Sequence, residues 1–223
     1  MLRNFGREMV MSVFCEIKEY NLLQKKLDSM KKAPEKVIKR TMSDIRTRVP
    51  GWVATEVTKV YGIKKKEITN HDVGKVKVEG SKPTKAKIRY TGRVLTPTHF
   101  GMSPTEPKPN RGAYTLKASV IKGQRTTLGK VKNLTKKQRK AMIYNLTRSG
   151  TRTSTRSPIM LMRTGGTYIP FQRKSTRRSD VHAIKTISLP QMVSSERTKP
   201  GIQEAINTGL QKRLDQHMKL LEK

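Results

Sequence analysis

Between residues 107 and 179 the chain has no aspartate and no glutamate, yet nineteen Lys and Arg lie in that stretch. Glu106 and Asp180 bracket the gap, and outside it thirty bases meet sixteen acids. The formal net charge of +33 is therefore concentrated in one region. Like charges at that density repel one another unless an anion or an acidic neighbour lies close. Nucleic acid, or acidic subunits of a larger assembly, are the partners this implies.

Other scarcities narrow the field further. Cys15 is the single cysteine, which excludes an intramolecular disulfide and a thiolate-rich metal site. One thiol suits a reducing cytoplasm. Hydrophobic residues make up 34% and aromatics 5% of 223 residues, so a small core is expected, with extended arms that gain order in a complex. No apolar run approaches the roughly 18 residues of a membrane span; the longest covers residues 159–162. The apolar patch at residues 9–15 is flanked by Glu8 and Glu16 and lacks the layout of a signal peptide, so none is expected.

What is present reads as helices, then strands, then a helix. Ile17, Tyr20, Leu23, Leu27 and Met30 recur at helical spacing. Pro34 suits the start of a second helix with Val37, Ile38, Met42, Ile45 and Val49 on its apolar face, and Pro50-Gly51 should break it. Trp52, Val53, Val57 and Val60-Tyr61 suggest a third, and residues 63–68 a small basic turn or helix. From Val73 the period changes to two, with Val76 and Val78, then Ala86, Ile88 and Tyr90, alternating with Lys and Arg. These two runs predict a hairpin with one buried and one cationic face.

Residues 96–112 hold four prolines and read as an extended loop. Tyr114, Leu116, Ala118 and Val120 predict a strand, and residues 122–157 a long basic loop with a helical turn at 135–147. Residues 158–163 and 167–172 flank Gly165-Gly166, a tight-hairpin signal. Ile184, Ile187 and Leu189 suggest a last extended segment stopped by Pro190, and Ile202, Ile206, Leu210, Leu214, Met218 and Leu221 a firm C-terminal helix.

The expected class is α+β. N-terminal helices precede a small, mostly antiparallel sheet or partial barrel with long basic loops, and the C-terminal amphipathic helix packs on that sheet. The expected organisation is an N-terminal arm over 1–16, a helical segment over 17–70, a basic β-rich core over 71–199 with extended loops at 96–112 and 122–157, and the helix over 200–223, all in one structural domain.

Catalytic patterns are sparse. His71, His99, His182 and His217 lie far apart and have no metal-ligand spacing. Asp180 and His182 have no serine in an elbow context to complete a triad. A metal-dependent nuclease would need clustered carboxylates. Asp72 and Glu79 are candidates, but the position where such nucleases carry lysine is Ser81. Gly165-Gly166 has no following Lys-Ser or Lys-Thr and is no phosphate loop. No catalytic residue, cofactor, metal or small-molecule ligand is expected.

The candidate interaction residues are the cations themselves: Lys122, Arg125, Lys130, Lys132, Lys136, Lys137, Arg139, Lys140, Arg148, Arg152, Arg156, Arg173, Lys174, Arg177 and Arg178. They would meet an acidic protein or DNA phosphates. A solvated basic face is the plainer alternative, but 73 residues without an acid make it a poor explanation. Base reading adds stacking aromatics. Only Tyr114, Tyr144, Tyr168 and Phe171 lie in the region, and two of these sit in strand patterns, which disfavours sequence-specific recognition.

Several segments occur in a familiar order. Residues 17–27 (IKEYNLLQKKL) come first, then Arg46-Thr47-Arg48, residues 60–68 (VYGIKKKEI) and residues 92–100 (GRVLTPTHF). Arg163 and the glycine hairpin precede residues 187–193 (ISLPQMV). This order, over roughly residues 15–221, resembles the minor tail protein Z family of tailed phages and prophages, the tail completion proteins. Residues 147–158 depart from that pattern: they are rich in Thr, Arg and Ser where the family often has an aromatic Gly-Ala-Phe-like stretch. The resemblance implies a non-enzymatic virion component of the tail or neck, assembled in the host bacterial cytoplasm. It implies a ring, with sixfold symmetry from the surrounding tail, and contacts with tail terminator, tail tube or head-tail connector proteins or the DNA in the channel. A sequence-independent nucleic-acid-binding protein is the alternative.

Overall fold

In the computed structural model, Val37, Met42, Ile45, Val49, Val53 and Val57 line one buried face of a single helix, α1 (Pro34–Val60). The break expected at Pro50-Gly51 does not occur. A proline inside a helix costs about 3 kcal/mol through its lost N–H and its clash with the preceding turn. Val49, Val53, Ala54 and Val57 continue the stripe begun at Val37 and are fully buried. At about 1.5–3 kcal/mol for each large apolar side chain, that burial outweighs the proline. The third helix expected from Trp52 is thus the second half of α1. The structure describes residues 9–13, 25, 28, 34–69, 73–79, 87–108, 112–132, 159–173 and 181–222. The helix expected over 17–31 lies outside these residues, apart from Lys25 and Asp28, which are helical.

The chain divides into two compact units, Met1–Val94 with Ile187–Lys223, and Leu95–Thr186. In the first unit the sheet order is β1-β3-β2, formed by β1 (Met9–Val13), β2 (Gly74–Glu79) and β3 (Lys87–Gly92), all antiparallel. The β2–β3 hairpin has the expected alternation. Ile88 and Tyr90 are buried, while Lys75, Lys77 and Arg89 face solvent. The apolar patch expected within an N-terminal arm supplies β1, which covers the free edge of β3 from Met9↔Gly92 to Val13↔Ile88. The short basic segment after Gly62 forms α2 (Lys65–Ile68), which buries Ile68.

Leu189 and Pro190 do not end a strand; they begin a helix, α3 (Leu189–Ser194). The signal for it is a capping box. The Ser188 hydroxyl accepts from Gln191 N, and the Gln191 side chain accepts from Ser188 N at 2.9 Å. Pro190 in the first turn is compatible with helix because its N–H would have no partner there. α3 packs on β1 and β3 and also touches both long helices.

The C-terminal helix, α4 (Lys199–Glu222), has the expected ladder, with Ile202, Ile206, Leu210 and Leu214 buried. Its main partner is α1, not the sheet. The two helices run antiparallel: Gly201 faces Glu56, Gly209 faces Trp52, and Asp44 meets Arg213 and His217. The buried Thr198 hydroxyl donates to the Met192 carbonyl and ties the start of α4 to α3.

In the second unit a five-stranded sheet has the order β4-β5-β6-β7-β8, from β4 (Ala113–Ala118), β5 (Thr126–Lys132), β6 (Ile159–Thr164), β7 (Thr167–Arg173) and β8 (Val181–Ala183). Among the described residues only β5 and β6 pair parallel. The α+β class is as expected, but the strands form two sheets instead of one, and no barrel closes among the described residues. β6 and β7 form the hairpin marked by Gly165-Gly166, whose φ values of 57° and 86° suit a two-residue turn that only glycine adopts cheaply.

The two expected loops are largely structured where they are described. Leu95, Pro97, Phe100 and Met102 are buried, with a 3₁₀ turn at Pro97–Phe100, and Ser103 pairs with Lys117. Phe100 and Met102 among the prolines, with Leu95 just before them, anchor residues 96–108, so they do not form an arm. Residues 126–132 of the expected basic loop form β5. A bulge between Leu116 and Lys117 puts Leu128 and Val131 out of strict alternation, which hides the strand in the sequence. The helical turn expected at 135–147 lies outside the described residues.

A Cβ added at Gly209 would fall 2.6 Å from Trp52 Cζ2, whereas one at Gly51 meets nothing within 4 Å. Gly209→Val should therefore lower stability by about 1–3 kcal/mol by overpacking. Gly51→Ala should raise it by about 0.5–1 kcal/mol. Thermal melting followed by circular dichroism checks the opposite signs; equal effects would place the α1–α4 contact elsewhere.

Candidate functional site

The β4–β5 hairpin carries the described part of the basic belt. Alternation decides where each cation points. Tyr114 and Leu116 on β4 and Val131 on β5 enter a buried cluster with Met102 and Ile159. Lys130 and Lys132 flank Val131 and take the opposite, exposed face. Register places Lys130 opposite Thr115 and Lys132 opposite Ala113. Lys122 and Arg125 are exposed in the connection between the strands, next to a turn closed by Gln124 N donating to the Ile121 carbonyl at 3.0 Å.

The sheet spreads these charges and does not converge them. At about 3.3 Å per residue, Arg125 and Lys132 are separated by about 20 Å along the strand. No ion pair to Lys122, Arg125, Lys130 or Lys132 occurs among the described residues, where the acids Asp44, Glu56 and Glu79 pair with other bases. Arg173 ends β7 opposite Val181. Lys136, Lys137, Arg139, Lys140, Arg148, Arg152, Arg156, Lys174, Arg177 and Arg178 lie outside the described residues.

Lys117 is not among the expected cations, yet it is exposed and follows the buried Leu116, so it joins the face of Lys130. Its signal is the alternation of Thr115 and Lys117 with Tyr114, Leu116 and Ala118. Met160 and Met162 also escape a sequence reading as surface residues, because an apolar run of four reads as core.

The other polar groups are dispersed. Asp72, His71 and Asp180 lie outside the described residues. Glu79 pairs with Arg89 across the β2–β3 hairpin at 3.5 Å. His99 lies in the 3₁₀ turn and His182 on β8 opposite Gln172. His217 Nε2 lies 3.2 Å from Asp44 Oδ2, with Arg213 Nε at 3.8 Å from the same oxygen, in the α1–α4 seam. Among the described residues no group of three His, Cys, Asp or Glu could hold a metal ion, and no helix is long and apolar enough to cross a membrane. The arrangement offers an extended cationic surface.

No family model, no curated protein and no solved structure matches the chain.

Cations spread in this way bind a polyanion through counterion release, without reading sequence. The purified chain should bind short duplex DNA with an affinity that falls steeply with salt. Lys130→Glu with Lys132→Glu should reduce the slope of log K against log salt by about 2, near one unit for each phosphate no longer neutralised. Fluorescence anisotropy over a salt series measures it, and an unchanged slope would show that these lysines do not meet the polyanion.

Proposed function

We propose that the chain is a structural subunit of a tailed phage or phage-like particle. In this role it is a tail completion or neck protein that forms a ring at the head-proximal end of the tail and helps head-tail joining and DNA delivery. It is not an enzyme and needs no cofactor or small-molecule ligand. Its partners are further copies of itself, in a ring of sixfold symmetry, and the tail terminator, tail tube or head-tail connector proteins. It resides in the virion after assembly in the bacterial cytoplasm.

The observation that carries this reading is the exposed face of the β4–β5 hairpin. Its lysines have no acidic partner among the described residues and belong to a stretch with no acid of its own. In such an assembly the subunit can take its counter-charge from acidic tail or connector proteins, and part of its stability from the neighbouring copies in the ring. The order of the resembling segments supports the reading from another side. Tyr61 and Ile63 of the VYGIKKKEI segment are buried, as are Leu95 and Phe100 of GRVLTPTHF and Leu189, Met192 and Val193 of ISLPQMV. These resembling residues build cores and turns.

Substituting Lys130 and Lys132 by Glu, or Arg148, Arg152 and Arg156 by Glu, should stop neck assembly. Joined particles should fall by on the order of tenfold or more, as when anchoring contacts of an interface are removed, while free heads and tails accumulate. Electron microscopy of lysates counts them. Normal numbers of joined particles would overturn the proposal. Absence of the wild-type protein from particles, together with tight DNA binding, would favour the sequence-independent nucleic-acid binder.

A further inference from the structure

The same alternation that exposes the lysines places a half-buried and an exposed methionine, Met160 and Met162, on the same side of the sheet. Val131 pairs with Ile159, and both enter the buried cluster. Lys132 and Met160, the next residue in each strand, therefore share the opposite face. Met162 lies two residues further along β6 and pairs with Ile169 of β7. One side of the sheet thus carries Lys117, Lys130 and Lys132 on β4 and β5, with Met160 beside Lys132 and Met162 and Ile169 following beyond the end of β5. Met162 is 45% exposed, and the other large hydrophobic exposed among the described residues, Leu220, belongs to the first unit. Met160 and Ile169 are half-buried.

We infer that this face docks an acidic protein surface bearing an apolar patch of its own, in preference to the phosphate backbone of nucleic acid. The inference deepens the reading of the basic belt as an assembly surface and rests on it. Phosphates would satisfy the lysines but leave the methionines in water. An apolar patch rimmed by charge is the composition of a protein interface, with Met enriched at its centre and polar groups at the rim. Single strands of nucleic acid would instead seek aromatic faces on which bases stack. Phe171, which shares the face through its pairing with Met160, is only 9% exposed. The cations that β4 and β5 place on the face are lysines, which act as point charges without the fork that grips a phosphate or carboxylate bidentately, and Arg173 takes the same face at the end of β7. They suit long-range steering of an acidic partner, while the apolar contact sets the dissociation rate.

Met162→Lys separates the two partners, because it removes the apolar contact and adds a positive charge. The full chain, as wild type, Met162→Lys, Met162→Thr and the Lys130→Glu/Lys132→Glu pair, is titrated with two probes. One is a short duplex DNA, and the other a peptide of alternating Glu and Leu. Circular dichroism first verifies that each variant folds. Met162→Lys and Met162→Thr should weaken the peptide by about tenfold, the loss typical of an apolar anchor, and leave DNA affinity unchanged or, for Lys, tighter. The lysine pair should weaken both. Peptide binding indifferent to Met162, or DNA bound while the peptide is not, overturns the inference; so does loss of self-association in Met162→Lys, which would make a second copy the occupant. Incorporation into particles provides a separate arm. Wild type and Met162→Lys entering tails equally well sinks the docking face but spares the tail role. Wild type absent from tails sinks the tail role, while the titrations still judge the face.

Discussion

The second unit must hold together against its own charge. Leu95–Thr186 contains twenty Lys and Arg and two acids, Glu106 and Asp180. Against this stands a small apolar cluster of Met102, Tyr114, Leu116, Val131 and Ile159, with Leu128, Leu161 and Ile184 packed on it. Each buried large side chain contributes about 1.5–3 kcal/mol. Two exposed like charges about 10 Å apart in water repel by about 0.4 kcal/mol, and less once salt limits their range to about 8 Å. On the described hairpin the cations are spread along a strand and out on its tip, which keeps each pairwise cost there small. The total remains large because the pairs are many. An acidic surface docked as proposed would reduce them together, which would link docking to stability in this unit.

The first unit handles charge differently. Several of its acids have cationic partners. Asp44 faces Arg213 and His217 across the α1–α4 seam, Glu56 is paired with Lys59 and lies against Gly201, and Glu79 bridges to Arg89 across a hairpin. The Glu56–Lys59 and Glu79–Arg89 pairs, each with a well-exposed partner, are worth well under about 1 kcal/mol. The Asp44 contacts add register: they fit only when α4 lies antiparallel on α1 with Gly209 beneath the Trp52 ring. Apolar burial supplies the adhesion, and the close approach at Gly209 fixes where along the helices it occurs.

What can be read from the residues follows the strength of local signals. The ladder at Ile202, Ile206, Leu210 and Leu214 and the Gly165-Gly166 turn are periodic or conformationally unique, and both stand as expected. Pro50 misleads because a local breaker says nothing of the buried face of α1, a tertiary fact. Pro190 misleads for the opposite reason: a local signal, Ser188 with Gln191, is masked by the proline beside it. β5 is hidden by its bulge, and residues 96–108 by prolines that draw attention from Leu95, Phe100 and Met102. The partner of the C-terminal helix cannot be read at all, because an amphipathic ladder states that a face is buried and not against what. Of the candidate cations, alternation alone places Lys130 and Lys132 once β5 is recognised, and Lys117 with them.

The proposed role then constrains how the charge is used. A channel through which DNA must pass gains nothing from a wall that holds phosphates tightly, since every contact made must be broken again as the DNA moves. Lysines on a face shared with Met160, Met162 and Ile169 answer a different need. Their field reaches an acidic subunit before contact and orients its approach. The methionines adapt to the surface they meet, being unbranched and polarizable, and their burial holds the subunit once it arrives. Charge without the apolar patch would give fast and promiscuous binding to any polyanion in a DNA-filled cell. The apolar patch without charge would invite self-association. On one sheet face the two together select a partner that offers both acid and apolar surface, which nucleic acid does not.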